Sequence, residues 1–355
     1  MKEKTVIITS SIYQSLETYL DSISYDKLFI LVDDITHQKC LPLLWNNGLN
    51  QKTTTVIEVP HGDIHKDLTA MTIIWKTLSD QGASRHSLLV NIGGGMITDI
   101  GGFAGASFKR GLRTINIPTT LMASVDASIG GKTGCNFNGL KNEIGTFYTP
   151  EKVFIDCGFL RTLDVPNLLS GYAEMLKHGL ISTKTLLEQT LAIDFDKEID
   201  YQKLNVLVGL SVGIKEHIVA KDPKEQGIRK ALNFGHTLGH AYESLSFCLD
   251  RPILHGHAVM AGIISELYLS NLYCDFPVDT LRQIVTYAKE NYPAFLFDCS
   301  HYEKLYEFMM HDKKNEGGHI NFTLLGGIGD IRINQQAQKA EIMESIDFYR
   351  ENFGG

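Results

Sequence analysis

Two histidines four residues apart, His236 and His240 in "NFGHTLGHAYE" (233–243), fall on one face of a helix. A second pair, His255 and His257, stands in "ILHGHAV" (253–259), and Glu174 precedes His178 by one turn in "GYAEMLKHGL" (171–180). Several imidazoles and a carboxylate can supply three ligands to a zinc-like ion and leave a fourth position open for substrate. The spacing alone does not choose the three. Histidine pairs also occur on helices as ordinary core or surface residues.

A second kind of chemistry is written in "LVNIGGGMITDIGGFAGASF" (89–108). Gly93, Gly94 and Gly95 follow an apolar run and open a helix. Amides at such a terminus point outward, the helix dipole favours an anion, and glycine lets a pyrophosphate approach the backbone. The string is not GxGxxG, so the dinucleotide fingerprint is not met literally, and a tight strand–helix turn explains it equally well. Asp99 stands one turn further in, as an acid near the positive end of the helix. Asp34 ends the run "KLFILVDD" (27–34), where a ribose hydroxyl is commonly gripped, and "PTT" (118–120) places hydroxyls at another strand end. Together these favour a dinucleotide.

The formal net charge is -8 and no basic face is evident, which argues against nucleic acid. Yet Lys132 in "GGKTG" (130–134), Lys141 in "GLKNEIG" (139–145), Lys177, Lys215, Arg229 and Lys313 occupy glycine-rich or motif-like contexts. Each alone reads as a surface cation; as a set in an acidic chain they suggest a small polyanionic substrate.

These residues need a scaffold. Apolar runs at 27–34, 54–60, 87–92, 113–118 and 152–156 alternate with helix-length segments, which predicts βαβ units and a mostly parallel sheet. After about residue 160 the apolar period changes to three and four, as in Leu204, Leu207, Leu210 and Ile214, which predicts helices. The exception is "HINFTLLGGIGDIRI" (319–333), whose glycine-rich centre predicts a hairpin. The fold class is therefore α/β: a Rossmann-like domain with a mostly parallel sheet over 1–162, then a mainly α-helical domain over 163–355. Six cysteines without a CxxC pair read as reduced thiols. The absence of a long apolar N-terminal or spanning stretch predicts a cytoplasmic chain with no membrane partner.

In order and spacing, "GGGMITDIGGFAGASFKRG", "PTTLMASVDASIGGKTG", "LKNEIGTFY", "GYAEMLKHGLI", "NFGHTLGHAYE" and "LHGHAV" resemble the 3-dehydroquinate synthase family over essentially the whole chain. The resemblance implies a Rossmann-like N-terminal domain, a helical C-terminal domain and an active site between them. It implies conversion of 3-deoxy-D-arabino-heptulosonate 7-phosphate to 3-dehydroquinate and phosphate, with catalytic NAD+, a zinc or cobalt ion, and a homodimer. Carried over by motif, the metal ligands are Glu174, His236 and His255, and His240 serves the substrate phosphate and proton relay. Asp126 and Lys132 face the substrate. Lys141, Asn142, Lys177 and Asn233 hold the substrate and its phosphate, and Lys215, Arg229 and Lys313 its carboxylate end. Arg110 matches an arginine that reaches the phosphate site of the neighbouring subunit. The cofactor positions are Asp34, Asp63, Lys66, Gly94, Gly95, Asp99, Thr119, Thr120 and Thr162, with Lys132 and Lys141 also facing it.

The chain departs from the family in two places. The family's usual "LHGE" is "LHGH", which puts His257 in place of a glutamate as a tuning residue or a competing ligand. "NFNGLKN" (136–142) replaces the usual "NxPxGKN", and register around Lys313 and Lys314 is ambiguous by one residue. Other sugar-phosphate cyclases such as 2-deoxy-scyllo-inosose synthase, metal-dependent polyol dehydrogenases, and a non-catalytic binding protein are the alternatives. The three carboxylate-end cations argue against the first, the many phosphate-facing cations against the second, and the intact metal and cofactor motifs against the third.

Overall fold

A computed structural model describes residues 4–45, 54–138, 140–195, 197–311 and 319–354. The strands are β1 (Val6–Ile8), β2 (Leu28–Asp33), β3 (Thr54–Val59), β4 (Leu88–Gly93), β5 (Arg113–Pro118), β6 (Lys132–Phe137), β7 (Leu140–Phe147), β8 (Lys152–Ile155), β9 (Phe322–Gly327) and β10 (Asp330–Gln335). The helices begin with α1 (Ile12–Ser22), α2 (Asp34–Lys39), α3 (Leu41–Trp45), α4 (Leu68–Asp80), α5 (Gly95–Ser107), α6 (Val165–Leu180) and α7 (Lys184–Leu191). They continue with α8 (Tyr201–Lys221), α9 (His236–Cys248), α10 (His255–Cys274), α11 (Val278–Asn291), α12 (Tyr302–Met310) and α13 (Lys339–Phe353). The chain divides into two compact units, Met1–Asp164 with Asp200–Val212, and Val165–Ile199 with Gly213–Gly355.

In the first unit six strands form a parallel sheet in the order β1-β8-β5-β4-β2-β3. All six residues of β2 are buried, because alternate side chains feed two cores. Ile30 and Val32 pack with Leu16, Leu20 and Phe154, whereas Phe29 and Leu31 pack with Ile74, Leu78 and Ile100. The expected Rossmann-like sheet is present. The "GGKTG" and "LKNEIG" strings form an antiparallel hairpin, β6–β7, which the sequence reading treated only as motifs.

The second unit is mainly helical, with the expected hairpin β9–β10. Its central element is α10, buried continuously from Gly256 to Leu267 and packed against α6, α9, α11, α13 and β9. Helices approach this closely only where side chains are missing. A Cβ on Gly256 would lie 1.7 Å from the Ser170 carbonyl oxygen of α6. A Cβ on Gly262 would lie 2.0 Å from the Gly235 oxygen and 2.5 Å from the Gly239 nitrogen of α9. Two glycines of α10 thus set its distance to the two helices that carry Glu174, His236 and His240.

Gly262→Ala should overpack the α9–α10 crossing and cost about 1–3 kcal/mol. Urea denaturation reads this directly, and an unchanged midpoint would show that the helices have room to separate.

Candidate metal and dinucleotide sites

In the second unit, α6 carries Glu174 and Lys177, α9 carries His236 and His240, and α10 opens on His255. Ligand-capable nitrogens of His236, His240 and His255 lie within 4.8 Å of one another. The ring centroids are 5.4, 5.5 and 5.7 Å apart. Glu174 is wholly buried, and its Oε1 lies 3.4 Å from His236 Nε2. That oxygen has no hydrogen-bond partner, a costly state for a buried carboxylate unless a cation completes it. Its other oxygen takes a very short contact from the Lys177 ammonium, which also donates to the Leu232 carbonyl at 2.9 Å. Lys177 is 1% exposed, so this cation serves the site rather than solvent.

The outer nitrogens of two rings are occupied. His236 Nδ1 lies 3.2 Å from the Phe234 carbonyl, and His255 Nδ1 lies 3.1 Å from Glu243 Oε2. A carbonyl or carboxylate can only accept, so each Nδ1 carries a proton, and in the neutral form of each ring Nε2 is then the atom with a lone pair for a metal. Glu243 is a partner that the sequence reading missed. It follows His240 by three residues on α9, a spacing that would have placed it on the same face.

His257 is not in the cluster. Its Nε2 donates to the Pro166 carbonyl at 3.0 Å, and its ring packs edge-on against Tyr292. Together with the Gly256 amide, which donates to Ser170 Oγ at 3.0 Å, it fastens the start of α10 to α6. It does not act as a competing ligand here, and burial pushes its imidazole below the ordinary histidine range.

The remaining predicted residues of this unit are also held. Lys215 and Arg229 are buried cations. Arg229 donates to the Pro223 carbonyl at 2.7 Å, and Asn233 donates to Glu225 at 2.8 Å. Lys313 lies outside the described residues.

In the first unit, β4 and β5 pair Gly93 with Pro118, so the glycine turn and Thr119–Thr120 leave the sheet side by side. The sheet order reverses between β2 and β4, the switch point where α/β sheets take ligands at their carboxyl ends. Gly94 is the N-cap of α5 and supplies no side-chain cap. A Cβ on Gly94 would press on Thr120 at 3.1 Å, and one on Gly95 on Ala127 at 3.2 Å. Asp126 lies beside them in a π-helical turn, Ala123–Ala127. Further along α5 the glycines serve packing, since a Cβ on Gly101 would lie 2.0 Å from Asn91 Oδ1.

Asp99 does not sit at the helix end as a dipole partner. It pairs with Lys66 at 2.5 Å, and Lys66 also donates to Asn142 Oδ1 at 2.5 Å. Burial raises the Asp99 carboxyl above its ordinary value, against the pull of the Lys66 ammonium. Lys141 pairs with Asp63 at 3.3 Å, and the Asn142 amide donates to Asn136 at 2.9 Å. The β6–β7 hairpin therefore gathers Asp63, Lys66, Asp99, Lys141 and Asn142 into one group, while Lys132 at its start is exposed. Asp34 opens α2 and accepts from the His61 amide at 2.7 Å and ring at 2.9 Å, and this hydrogen bonding holds its carboxyl below the usual value. Thr162 donates to the Phe159 carbonyl. Arg110 is exposed and ends a turn in which Lys109, Arg110 and Gly111 all have positive φ, at 48°, 65° and 131°. Arg85 donates to the Lys109 carbonyl at 2.9 Å and helps hold that turn.

Comparisons with known proteins agree across the chain. The family model described as 3-dehydroquinate synthase N-terminal matches residues 56–170, and 3-dehydroquinate synthase C-terminal matches 171–315. A 3-dehydroquinate synthase of Parabacteroides distasonis is 62% identical over 354 residues, covering 100% of both chains. One of Dictyoglomus thermophilum is 35% identical over 339 residues, covering 93% of this chain and 91% of its own. Among solved structures, 2-deoxy-scyllo-inosose synthase complexed with carbaglucose-6-phosphate, NAD+ and Co2+ has a TM-score of 0.83 at 21% identity, covering 98% and 96% of the two chains. Glycerol dehydrogenase of Schizosaccharomyces pombe has a TM-score of 0.67 at 14% identity, covering 99% and 92%. These two likenesses concern the fold.

Asp99→Ala leaves the Lys66 ammonium, 4% exposed, without its counter-charge and should cost about 3–5 kcal/mol. The double change Lys66→Met with Asp99→Leu should cost far less, because no charge remains stranded. Denaturation of both variants checks this; equal losses would mean that shape rather than charge matters there.

Proposed function

The chain belongs to the 3-dehydroquinate synthase family, and on that premise we propose that it converts 3-deoxy-D-arabino-heptulosonate 7-phosphate to 3-dehydroquinate and phosphate, with catalytic NAD+ and a zinc or cobalt ion. Full-length kinship with synthases of that name carries the reading. The likeness to 2-deoxy-scyllo-inosose synthase and to glycerol dehydrogenase extends to fold alone. Buried Lys215 and Arg229 favour a substrate that brings a carboxylate.

The donor set fits a divalent metal. Glu174 Oε1 and the Nε2 atoms of His236 and His255 are the ligands we assign, an oxygen and two imidazoles with room for substrate oxygens. His240, beside them, serves the substrate phosphate and proton relay. The glycine turn at Gly94–Gly95, with Asp34, Asp63, Lys66, Asp99, Thr119, Thr120 and Thr162, is assigned to NAD+. When bound, NAD+ would take hydride from C5 and later return it, and the ion would polarise the neighbouring oxygens, so that a C5 ketone acidifies the C6 proton for loss of phosphate from C7.

The chain's own work is to bind and orient. Lys177 holds one Glu174 oxygen and leaves the other for the ion. Glu243 and the Phe234 carbonyl fix the tautomers of His255 and His236. Lys132, Lys141, Asn142, Asn233 and Asp126 position the substrate, and Lys215, Arg229 and Lys313 its carboxylate end. Such orientation supplies about 7–11 kcal/mol in favourable cases. We further assign a cytoplasmic homodimer in which Arg110, presented on its strained turn, serves the second copy's phosphate site. Among the described residues no helix is long and apolar enough to cross a membrane.

Purified protein should release phosphate from the heptulosonate phosphate with trace NAD+, stop on chelation, and recover with Zn2+ or Co2+. Stoichiometric NADH from a simple polyol without phosphate release would overturn the assignment. Lys132→Ala should lower turnover by roughly 100-fold with an unchanged denaturation curve. Glu174→Ala should purify without metal, and full metal content would refute its place among the ligands.

A further inference from the structure

Glu266, on α10, has no part in the reaction as described above. Its carboxylate is 0% exposed and both of its oxygens face the opening of α9. Oε2 accepts from the Gly235 amide at 2.7 Å, and Oε1 from the Thr237 and Leu238 amides at 2.9 and 3.2 Å. The first amides of a helix have no partner within it, and a side chain at the N-cap usually supplies one. Here the N-cap is Gly235, at φ 80°, and no side chain could stand there, because a Cβ would lie 2.5 Å from Ile263 Cγ1. The neighbouring helix therefore provides the cap, and a carboxylate suits the positive end of the dipole.

The three amides bracket His236. Its ring is held at Nδ1 by the Phe234 carbonyl, two residues back at the start of the same turn, so the placing of Nε2 follows where the first turn of α9 lies. That turn is fastened to the same helix that opens on His255. We propose that Glu266 is a positioning residue for the metal centre: by clamping the first turn of α9 onto α10, it fixes the span between His236 and His255. The inference rests on the metal reading above.

Glu266→Gln keeps the shape but replaces one acceptor oxygen with an NH2 that faces backbone donors, so at least one of the three bonds is lost. Zn2+ affinity, measured by competition with a chromogenic chelator, should weaken 10–100-fold. The d–d absorption of the Co2+ form should change, and in metal-free protein the amides of Gly235, Thr237 and Leu238 should exchange faster. Leu78→Ala, in the core of the first unit, controls for lost stability alone and should leave Zn2+ affinity unchanged. Glu266→Asp, too short to reach all three amides, carries the same readings should the glutamine variant not fold. Wild-type affinity and an unaltered Co2+ spectrum in the Glu266 variants would overturn the positioning role while leaving the metal reading intact. Failure of the wild-type protein to take up Zn2+ or Co2+ would overturn the metal reading, and the positioning role with it.

Discussion

Near-contact of backbones along α10 is the constraint on which the second unit depends. Three imidazoles and a carboxylate come from three helices, and ordinary helix spacing of 8–10 Å is set by the side chains at the crossing. Gly256 and Gly262 remove those side chains at the two points where α10 meets α6 and α9. The imidazoles and the carboxylate then come together because the helices have already closed the distance. Hydrogen bonds fasten each junction: Ser170 and His257 on the α6 side, and Glu266 on the α9 side.

The electrostatics follow from the same closeness. Burying Glu174 is unfavourable unless its charge is met, and Lys177 meets half of it. The other oxygen is left facing an imidazole nitrogen, an arrangement that a cation would complete. The first unit uses a parallel device. Lys66 is drawn out of solvent by Asp99 and Asn142, and this ties the β6–β7 hairpin to α5 and to the segment before α4. In each unit a buried lysine orders the groups around it, and neither lysine is spent on surface pairing.

Much of this was legible in the sequence because period and spacing are local properties. The parallel strands showed as apolar runs, and the hairpin at 322–335 showed as two runs about a glycine turn. His236 and His240 lie on one helix face because four residues make about one turn. What the sequence could not show was contact across elements. Nothing local to position 266 marks it as the cap of a helix that begins 30 residues earlier. The pairing of Asp99 with Lys66 was hidden for the same reason, since its partner lies 33 residues away. His257 read as a tuning residue or a competing ligand near His255, but residues two apart on a helix point about 200° apart and its ring turns to Pro166. The β6–β7 hairpin escaped notice because its glycines and lysines mask a strand pattern.

The central claim is that one carboxylate oxygen and two imidazoles form the metal centre. X-ray absorption fine structure on the Co2+- or Zn2+-loaded protein tests it most directly. The account predicts two imidazole rings per ion with the remaining neighbours oxygen, and the loss of one oxygen neighbour, with both rings kept, in a Glu174→Ala sample reloaded at high metal concentration. Three imidazoles per ion, or a spectrum unchanged by that substitution, would contradict it.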